Sequence, residues 1–83
     1  MKKELLLNLT VENAECITTV CKEIKSEFDV DIDVKYGRYI VDGCSILGIY
    51  SMVNHIVKIC PVTENPEILR TIFAKFVPLG AFN

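Results

Sequence analysis

The amino-acid sequence predicts an α+β fold, in which four short strands form an antiparallel sheet with helices packed on one face. Several short segments alternate apolar and polar residues, which is the period of a half-buried strand. Other segments repeat apolar residues every three or four positions, which is the period of one helix face. Strands and helices follow one another as β-α-β-β-α-β-α, and this order favours a two-layer open-faced sandwich.

The first strand is predicted over residues 3–9, and the longest helix follows it. Leu5, Leu7 and Leu9 share one face of the strand. Thr10 is predicted as the helix N-cap, because its hydroxyl can accept a hydrogen bond from a free N–H of the first turn. The apolar face of this helix consists of Ala14, Ile17, Cys21, Ile24 and Phe28.

A β-hairpin is predicted next. Residues 29–35 alternate strictly between charged side chains and Val or Ile, which indicates a strand with one wet face. Tyr36 and Gly37 are predicted to form the turn, and residues 38–42 to form the returning strand.

The second half of the chain is predicted as helix, strand and helix. Ser45 fits the N-cap of a short helix, and residues 55–60 fit a fourth strand. Asn65 is predicted to cap the last helix, with Pro66 at its first position, where proline is tolerated. This helix is expected to end before Pro78. All 83 residues are assigned to one domain, residues 1–83.

Composition and charge exclude some classes of function. The net charge of -2 lacks the basic excess typical of nucleic-acid binders. No apolar run approaches the roughly 20 residues that a membrane span requires. No signal peptide is recognisable, so we expect a soluble, cytoplasmic protein without nucleic-acid or membrane partners.

One segment carries a family resemblance. Residues 45–52 read SILGIYSM. They resemble the regulatory-serine segment of the HPr phosphocarrier proteins of the bacterial sugar phosphotransferase system, whose core reads K-S-I-x-G-x-x-S-L. Cys44 stands in the place of the lysine. The resemblance implies an HPr-like fold over nearly the whole chain.

The resemblance also shows what this chain has lost. HPr proteins carry a phosphoryl group on a histidine at the start of the first helix, with an arginine two residues later. These places fall near Asn13 and Glu15, and the only histidine is His55. An amide has no basic ring nitrogen to attack phosphorus, and a carboxylate repels the anion. We therefore expect no histidine phosphotransfer and no enzyme activity.

Ser45 matches the regulatory serine of HPr, which a kinase phosphorylates so that a transcriptional co-regulator binds. A phosphate there would meet free N–H groups of the short helix. The structural alternative is a plain N-cap serine. The resemblance implies protein partners and a docking surface formed by Ile46, Ile49, Tyr50 and Met52. A short helix that merely covers the core would show the same apolar pattern.

Other candidate sites are weaker in the sequence. Asp29, Asp31 and Asp33 begin like a calcium loop but lack its glycine and its final glutamate, so no metal is expected. The cysteines are predicted to be buried free thiols, and His55 to be structural or exposed. No cofactor motif is present. The alternative to a regulatory docking module is a small-ligand-binding or enzyme-associated α+β domain that shares only the topology of HPr.

Overall fold

The computed structural model describes residues 3–83, and these residues follow the predicted succession of elements. In chain order they are β1 (Leu5–Leu9), α1 (Val11–Phe28), β2 (Ile32–Tyr36), β3 (Tyr39–Asp42), α2 (Ile46–Tyr50), β4 (His55–Pro61) and α3 (Pro66–Phe76), followed by a 3-10 turn at Val77–Leu79. The order β-α-β-β-α-β-α is thus confirmed. The first strand begins two residues later than predicted, and the fourth extends one residue further.

The four strands form an antiparallel sheet in the order β1-β4-β2-β3. β4 occupies the centre, where Val57 pairs with Leu7 of β1 and Ile59 pairs with Val34 of β2. β3 pairs with β2 and lies at one edge. The α+β open-faced sandwich predicted from the sequence is therefore confirmed.

The core lies between the sheet and its helices. In β1, β2 and β4, alternate residues are buried, and their neighbours, such as Ile56 and Lys58 of β4, lie on the other face. Such alternation is expected of a sheet with one solvated face. No residue of β3 is buried. The fully buried large side chains are Leu7, Leu9, Ile17, Ile24, Ile32, Val34, Ile49, Val57, Ile59, Leu69, Ile72 and Phe76.

The corner between α1 and β2 differs from the prediction. Asp29 has φ 54°, in the left-handed region, and its N–H bonds to the carbonyl of Lys25, so it ends α1 instead of starting a strand. Asp is one of the few residues besides Gly that tolerate this conformation. The Nζ of Lys25 lies 3.0 Å from Asp29 and 3.2 Å from Asp31. The strict alternation therefore spans a cap and a loop, and β2 begins only at Ile32.

The hairpin turn is displaced by one residue from the prediction. Tyr36 pairs with Tyr39, so the turn consists of Gly37 and Arg38. Gly37 has φ 59°, and nothing lies within 4 Å of the place its Cβ would take. Glycine at the first position of a two-residue turn is the choice of hairpins that follow the natural strand twist.

The segment after α3 reaches the free side of β1. The helix ends at Phe76, before Pro78 as predicted, and Pro78 then continues into the 3-10 turn. Beyond that turn, Leu6 and Phe82 exchange two backbone hydrogen bonds of 2.8 Å each. This pairing, which the sequence did not predict, closes the outer edge of β1.

Candidate functional site

The start of α1 is built as a helix cap. The hydroxyl of Thr10 accepts from the N–H of Asn13 at 3.2 Å, and the side-chain carbonyl of Asn13 accepts from the N–H of Thr10 at 2.8 Å. The amide nitrogen of Asn13 also donates to the carbonyl of Asn8 at 2.9 Å. Both ends of the Asn13 side chain are thus engaged in a capping box. Thr10 is confirmed as the N-cap.

Glu15 lies two residues after Asn13 on α1 and is exposed. It lines a shallow cleft of about 250 Å³ between α1 and α2, together with Thr18, Thr19, Lys22 and Ile46. The structure therefore brings Glu15 together with Ile46, one of the predicted docking residues. Asn13 does not line this cleft.

Ser45 caps α2, as predicted. Its side chain accepts from the N–H of Gly48 at 3.3 Å, and its own N–H donates to the carbonyl of Asp42 at 2.9 Å. A Cβ on Gly48 would lie 3.0 Å from that of Val41 and 3.3 Å from the Ser45 hydroxyl oxygen. Glycine at 48 therefore lets α2 rest closely on β3. The Ser45 side chain remains exposed.

The predicted docking residues separate into two groups. Ile49 is fully buried and Met52 is 3% exposed, so both belong to the core, and their assignment to a docking surface is wrong. Ile46 and Tyr50 are half-buried and remain at the surface. The three-residue spacing of Ile46, Ile49 and Met52 explains this difference. Residues at this spacing lie near one face of a helix but shift gradually around it, so Ile49 and Met52 face the sheet more directly than Ile46 does.

Sequence reasoning missed Leu47. Its side chain is 81% exposed, the largest exposed fraction among the large apolar residues described as exposed. The same three-residue spacing that directs Ile49 inward leaves position 47 on the opposite side of α2. The sequence thus places Leu47 and Ile49 on opposite sides of α2, but it does not show which side meets the sheet.

His55 lies at the start of β4 and is exposed, as predicted. Its Cα is opposite Leu9, directly before the cap of α1. The imidazole, however, packs on Tyr36 with ring centroids 4.3 Å apart. Its Nδ1 lies 3.3 Å from the carbonyl of Met52 and must carry the proton if it donates there. With Tyr36, Tyr39 and Met52 it lines a groove of about 340 Å³.

The four cysteines are free, but only Cys21 is buried. Cys16 is exposed on the outer side of α1, so its predicted burial is wrong, and Cys44 and Cys60 are half-buried. Burial, followed by the nearby Cys44 and Asp42, raises the pKa of Cys21 to about 12. Burial also raises the pKa of Cys44 and of Cys60, with carboxylates adding to it. A raised pKa keeps a thiol protonated, and a protonated thiol is a poor nucleophile.

Within residues 3–83, no three His, Cys, Asp or Glu side chains gather closely enough to hold a metal ion. No helix among these residues is both long enough and apolar enough to span a bilayer.

The fold and the site together define an α+β open-faced sandwich with an exposed serine and an exposed leucine at the start of α2. The sequence matches no protein-family model and no curated protein, and no solved structure matches the chain.

Proposed function

We propose that this protein is an HPr-like regulatory docking module that binds a partner protein through α1 and α2 and does not transfer phosphoryl groups through histidine. The observation that carries this proposal is the pairing of Ser45 and Leu47. An exposed hydroxyl and an 81% exposed apolar side chain stand two residues apart on the same short helix.

The surface around Leu47 has the composition of a docking site. Leu47 projects from α2, and Ile46 forms part of the adjoining cleft with Lys22 and Glu15. Protein-binding interfaces commonly have an apolar centre and a polar rim. The partner that fits it is a folded protein with an apolar pocket for Leu47 and charged groups that face Lys22 and Glu15.

Phosphorylation of Ser45 would change this surface directly. A phosphate adds close to two negative charges and three strong acceptor oxygens. Burial and the Asp42 carboxylate raise the pKa of the Cys44 thiol, and the positive charge of Lys22 partly lowers it again. Lys22 is therefore near Cys44. Because Ser45 follows Cys44 directly in the chain, we expect the Lys22 ammonium to attract a phosphate on Ser45, and a binding protein with an arginine gains a target beside Leu47.

The geometry of α1 supports the absence of phosphotransfer. Asn13 is engaged at both ends of its side chain, and the acidic Glu15 stands where the resemblance implies an arginine. His55 packs on Tyr36, and no arginine lines the groove around it.

The regulatory part is tested with an HPr kinase and ATP, followed by mass spectrometry. We expect one phosphate on the wild-type chain and none on Ser45→Ala. Ser51→Ala is the matched control, because Ser51 is an exposed serine at the other end of α2, and its hydroxyl donates to the carbonyl of Gly48. Absence of phosphate on the wild type, or phosphate that persists in Ser45→Ala, would refute the switch.

The absence of histidine transfer is tested with phosphoenolpyruvate and enzyme I of the phosphotransferase system. We expect no acid-labile label on the protein. Label on the wild-type chain that disappears in His55→Gln would show that the sole imidazole accepts phosphorus, and the proposal would then be wrong.

The groove around His55 favours a second candidate function, the binding of a small aromatic ligand. Two tyrosine rings, an imidazole and a methionine thioether enclose it on the apolar side. Such surroundings suit a planar apolar molecule. A ligand-dependent rise in melting temperature without any partner protein, reduced in Tyr39→Ala, would favour this function over docking.

A further inference from the structure

The free edge of the sheet is β3. Among residues 3–83, this strand pairs with β2 alone, whereas the opposite edge strand, β1, meets Phe82. An edge strand with unpaired N–H and C=O groups is a template for another strand. β3 therefore offers a binding surface that the proposed docking surface on α1 and α2 does not include.

The direction of the free backbone groups follows from the hairpin register. The N–H of Gly43 donates to the carbonyl of Ile32 at 2.8 Å, which makes this pair a hydrogen-bonded one. In an antiparallel ladder such pairs alternate with pairs that do not bond to each other. The pairs after Ile32–Gly43 are Asp33–Asp42, Val34–Val41 and Lys35–Ile40. By this alternation Val34 and Val41 bond to each other, whereas Lys35 and Ile40 do not. The N–H and C=O of Ile40 therefore point away from β2, towards the free edge.

The side chains of β3 are also exposed to an unusual degree. Tyr39 is 71% exposed and Ile40 is 60% exposed. Both residue types are enriched in paired strands, where they pack against neighbours across the strand. Polar backbone groups and apolar side chains are thus presented together along this edge.

We propose that two copies of this protein pair through their β3 strands, antiparallel and around a two-fold axis at Ile40. In this register Ile40 lies opposite Ile40 of the second copy and exchanges both backbone bonds with it. Arg38 lies opposite Asp42 on both sides of the axis, and Tyr39 lies opposite Val41. The result is a continuous eight-stranded sheet with a closed, isologous interface.

Charge complementarity is what assigns the edge to a second copy instead of an unrelated strand. This register brings Arg38, the turn residue that directly precedes β3, to Asp42 at the end of β3 of the second copy, twice across the axis. Opposite charges that face each other across neighbouring strands stabilise the pairing. A slip by one residue sets Ile40 against a residue whose backbone groups already bond to β2. A slip by two residues sets Ile40 against Arg38 or Asp42 and leaves the charges unmatched. β3 is therefore complementary to itself in one register.

The interface is short, since β3 has four residues. We therefore expect a weak dimer, populated at millimolar but not at micromolar protein concentration. This inference does not depend on the proposed function, because the two surfaces share no residue.

The test is sedimentation of the full chain at both concentrations, with charge variants. Arg38→Glu places like charges opposite each other in its own dimer, and so does Asp42→Lys, so each variant alone is expected to be monomeric. An equal mixture of the two restores opposite charges at both positions and is expected to dimerise as the wild type does. Arg70→Glu, the same change on the exposed surface of α3, is the matched control and should leave dimerisation unchanged.

Asp42 also accepts a bond from the N–H of Cys44, so Asp42→Lys carries a risk to folding. Ile40→Pro is the second variant, because it removes an N–H that points outward and leaves the ladder to β2 complete. It should fold and remain monomeric. A wild type that stays monomeric at millimolar concentration would overturn the proposal, as would Arg38→Glu dimerising as strongly as wild type. The proposal would also be overturned if the NMR signals of β3 did not shift with protein concentration but shifted when an unrelated extended peptide was added.

Discussion

At the β1 edge of the sheet, the chain itself supplies the missing partner, whereas at the β3 edge it does not. Leu6 bonds to Phe82, a residue far along the sequence, and Ala81 beside it is buried. At the other edge, Tyr39 and Ile40 face solvent. The residue after β3, Gly43, packs closely against Cys21 of α1 on the core side of the sheet. One edge is thus closed by backbone pairing, and the other is anchored by side-chain packing but left open.

The comparison shows that the two edges depend on different interactions. The β1 edge should be sensitive to loss of the terminal segment, and the β3 edge to any added volume beneath it. Changes at either edge should therefore lower the free energy of unfolding by different amounts.

The largest effect is expected from ending the chain at Leu79. This change removes four backbone hydrogen bonds, two of which join Leu6 and Phe82, together with the buried Ala81 and the partly covered ring of Phe82. We expect a loss of about 3 kcal/mol. Urea unfolding measures it. Removal of Asn83 alone, an exposed residue, is the control and should change little. A loss as small as the control's would show that the β1 edge does not need its partner.

Gly43→Ala should destabilise the β3 side by about 2 kcal/mol. Its Cβ would lie 2.5 Å from the sulfur of Cys21 and 3.1 Å from the carbonyl oxygen of Ile32, and the backbone atom cannot give way cheaply. Thermal unfolding measures the loss. Gly37→Asn is the matched control, since the space there is open and Asn tolerates a positive φ. Equal stabilities of the two variants would contradict the packing argument.

The pH dependence of stability should report the packing of Cys21. Its pKa is raised from 9.0 to about 12 in the folded state, so above pH 9 the unfolded chain loses this proton first. The contribution of the Cys21 thiol to the free energy of unfolding is fully present at neutral pH. It falls as the pH rises, by about 1.4 kcal/mol at pH 10. Denaturant unfolding at pH 7 and pH 10 measures the fall.

Cys21→Ala is the comparison for that experiment. At pH 7 the variant should be less stable than the wild type, because the smaller alanine side chain leaves a cavity. Between pH 7 and pH 10, however, its free energy of unfolding should fall by less, since the contribution of Cys21 is absent. Cys44 and Cys60, whose pKa values are also raised, contribute to the slope of both proteins. Parallel pH profiles would show that the thiol is not desolvated beneath Gly43.

The smallest effect is expected from Ser45→Ala, just after β3. Its cap on α2 is a single exposed bond of 3.3 Å, so we expect a loss of about 0.5 kcal/mol, at the low end for N-caps. Faster amide hydrogen exchange confined to residues 46–50 would show it. Ser45→Asp retains a good N-cap and should keep the slower exchange. Faster exchange throughout the sheet would mean that α2 anchors the whole β3 edge.

The order of elements was predictable because hydrophobic periodicity is a local property. The N-caps at Thr10, Ser45 and Asn65 were all found from residue type and position, and the structure confirms them. The strand over 29–35 was wrong in its first three residues. The alternation there is compatible with a strand, and only the left-handed backbone at Asp29 ends the helix.

Long-range pairing could not be predicted in the same way. The bonds between Leu6 and Phe82 join segments with no local signal for each other, so the closed β1 edge and the strand order required the structure. At the site, the period of a five-residue helix does not reveal which face meets the sheet. Ile49 and Met52 were therefore assigned to the wrong surface, and Leu47 was overlooked.

The side chain of Asn13 has a consequence for how this sequence can change. Its carbonyl and amide ends both serve the junction between β1 and α1, and an imidazole has no pair of atoms with the same reach. A mutation that put histidine there would therefore weaken the beginning of α1. A second substitution would be needed to restore the cap, so single codon changes at this position are opposed by the stability of the junction.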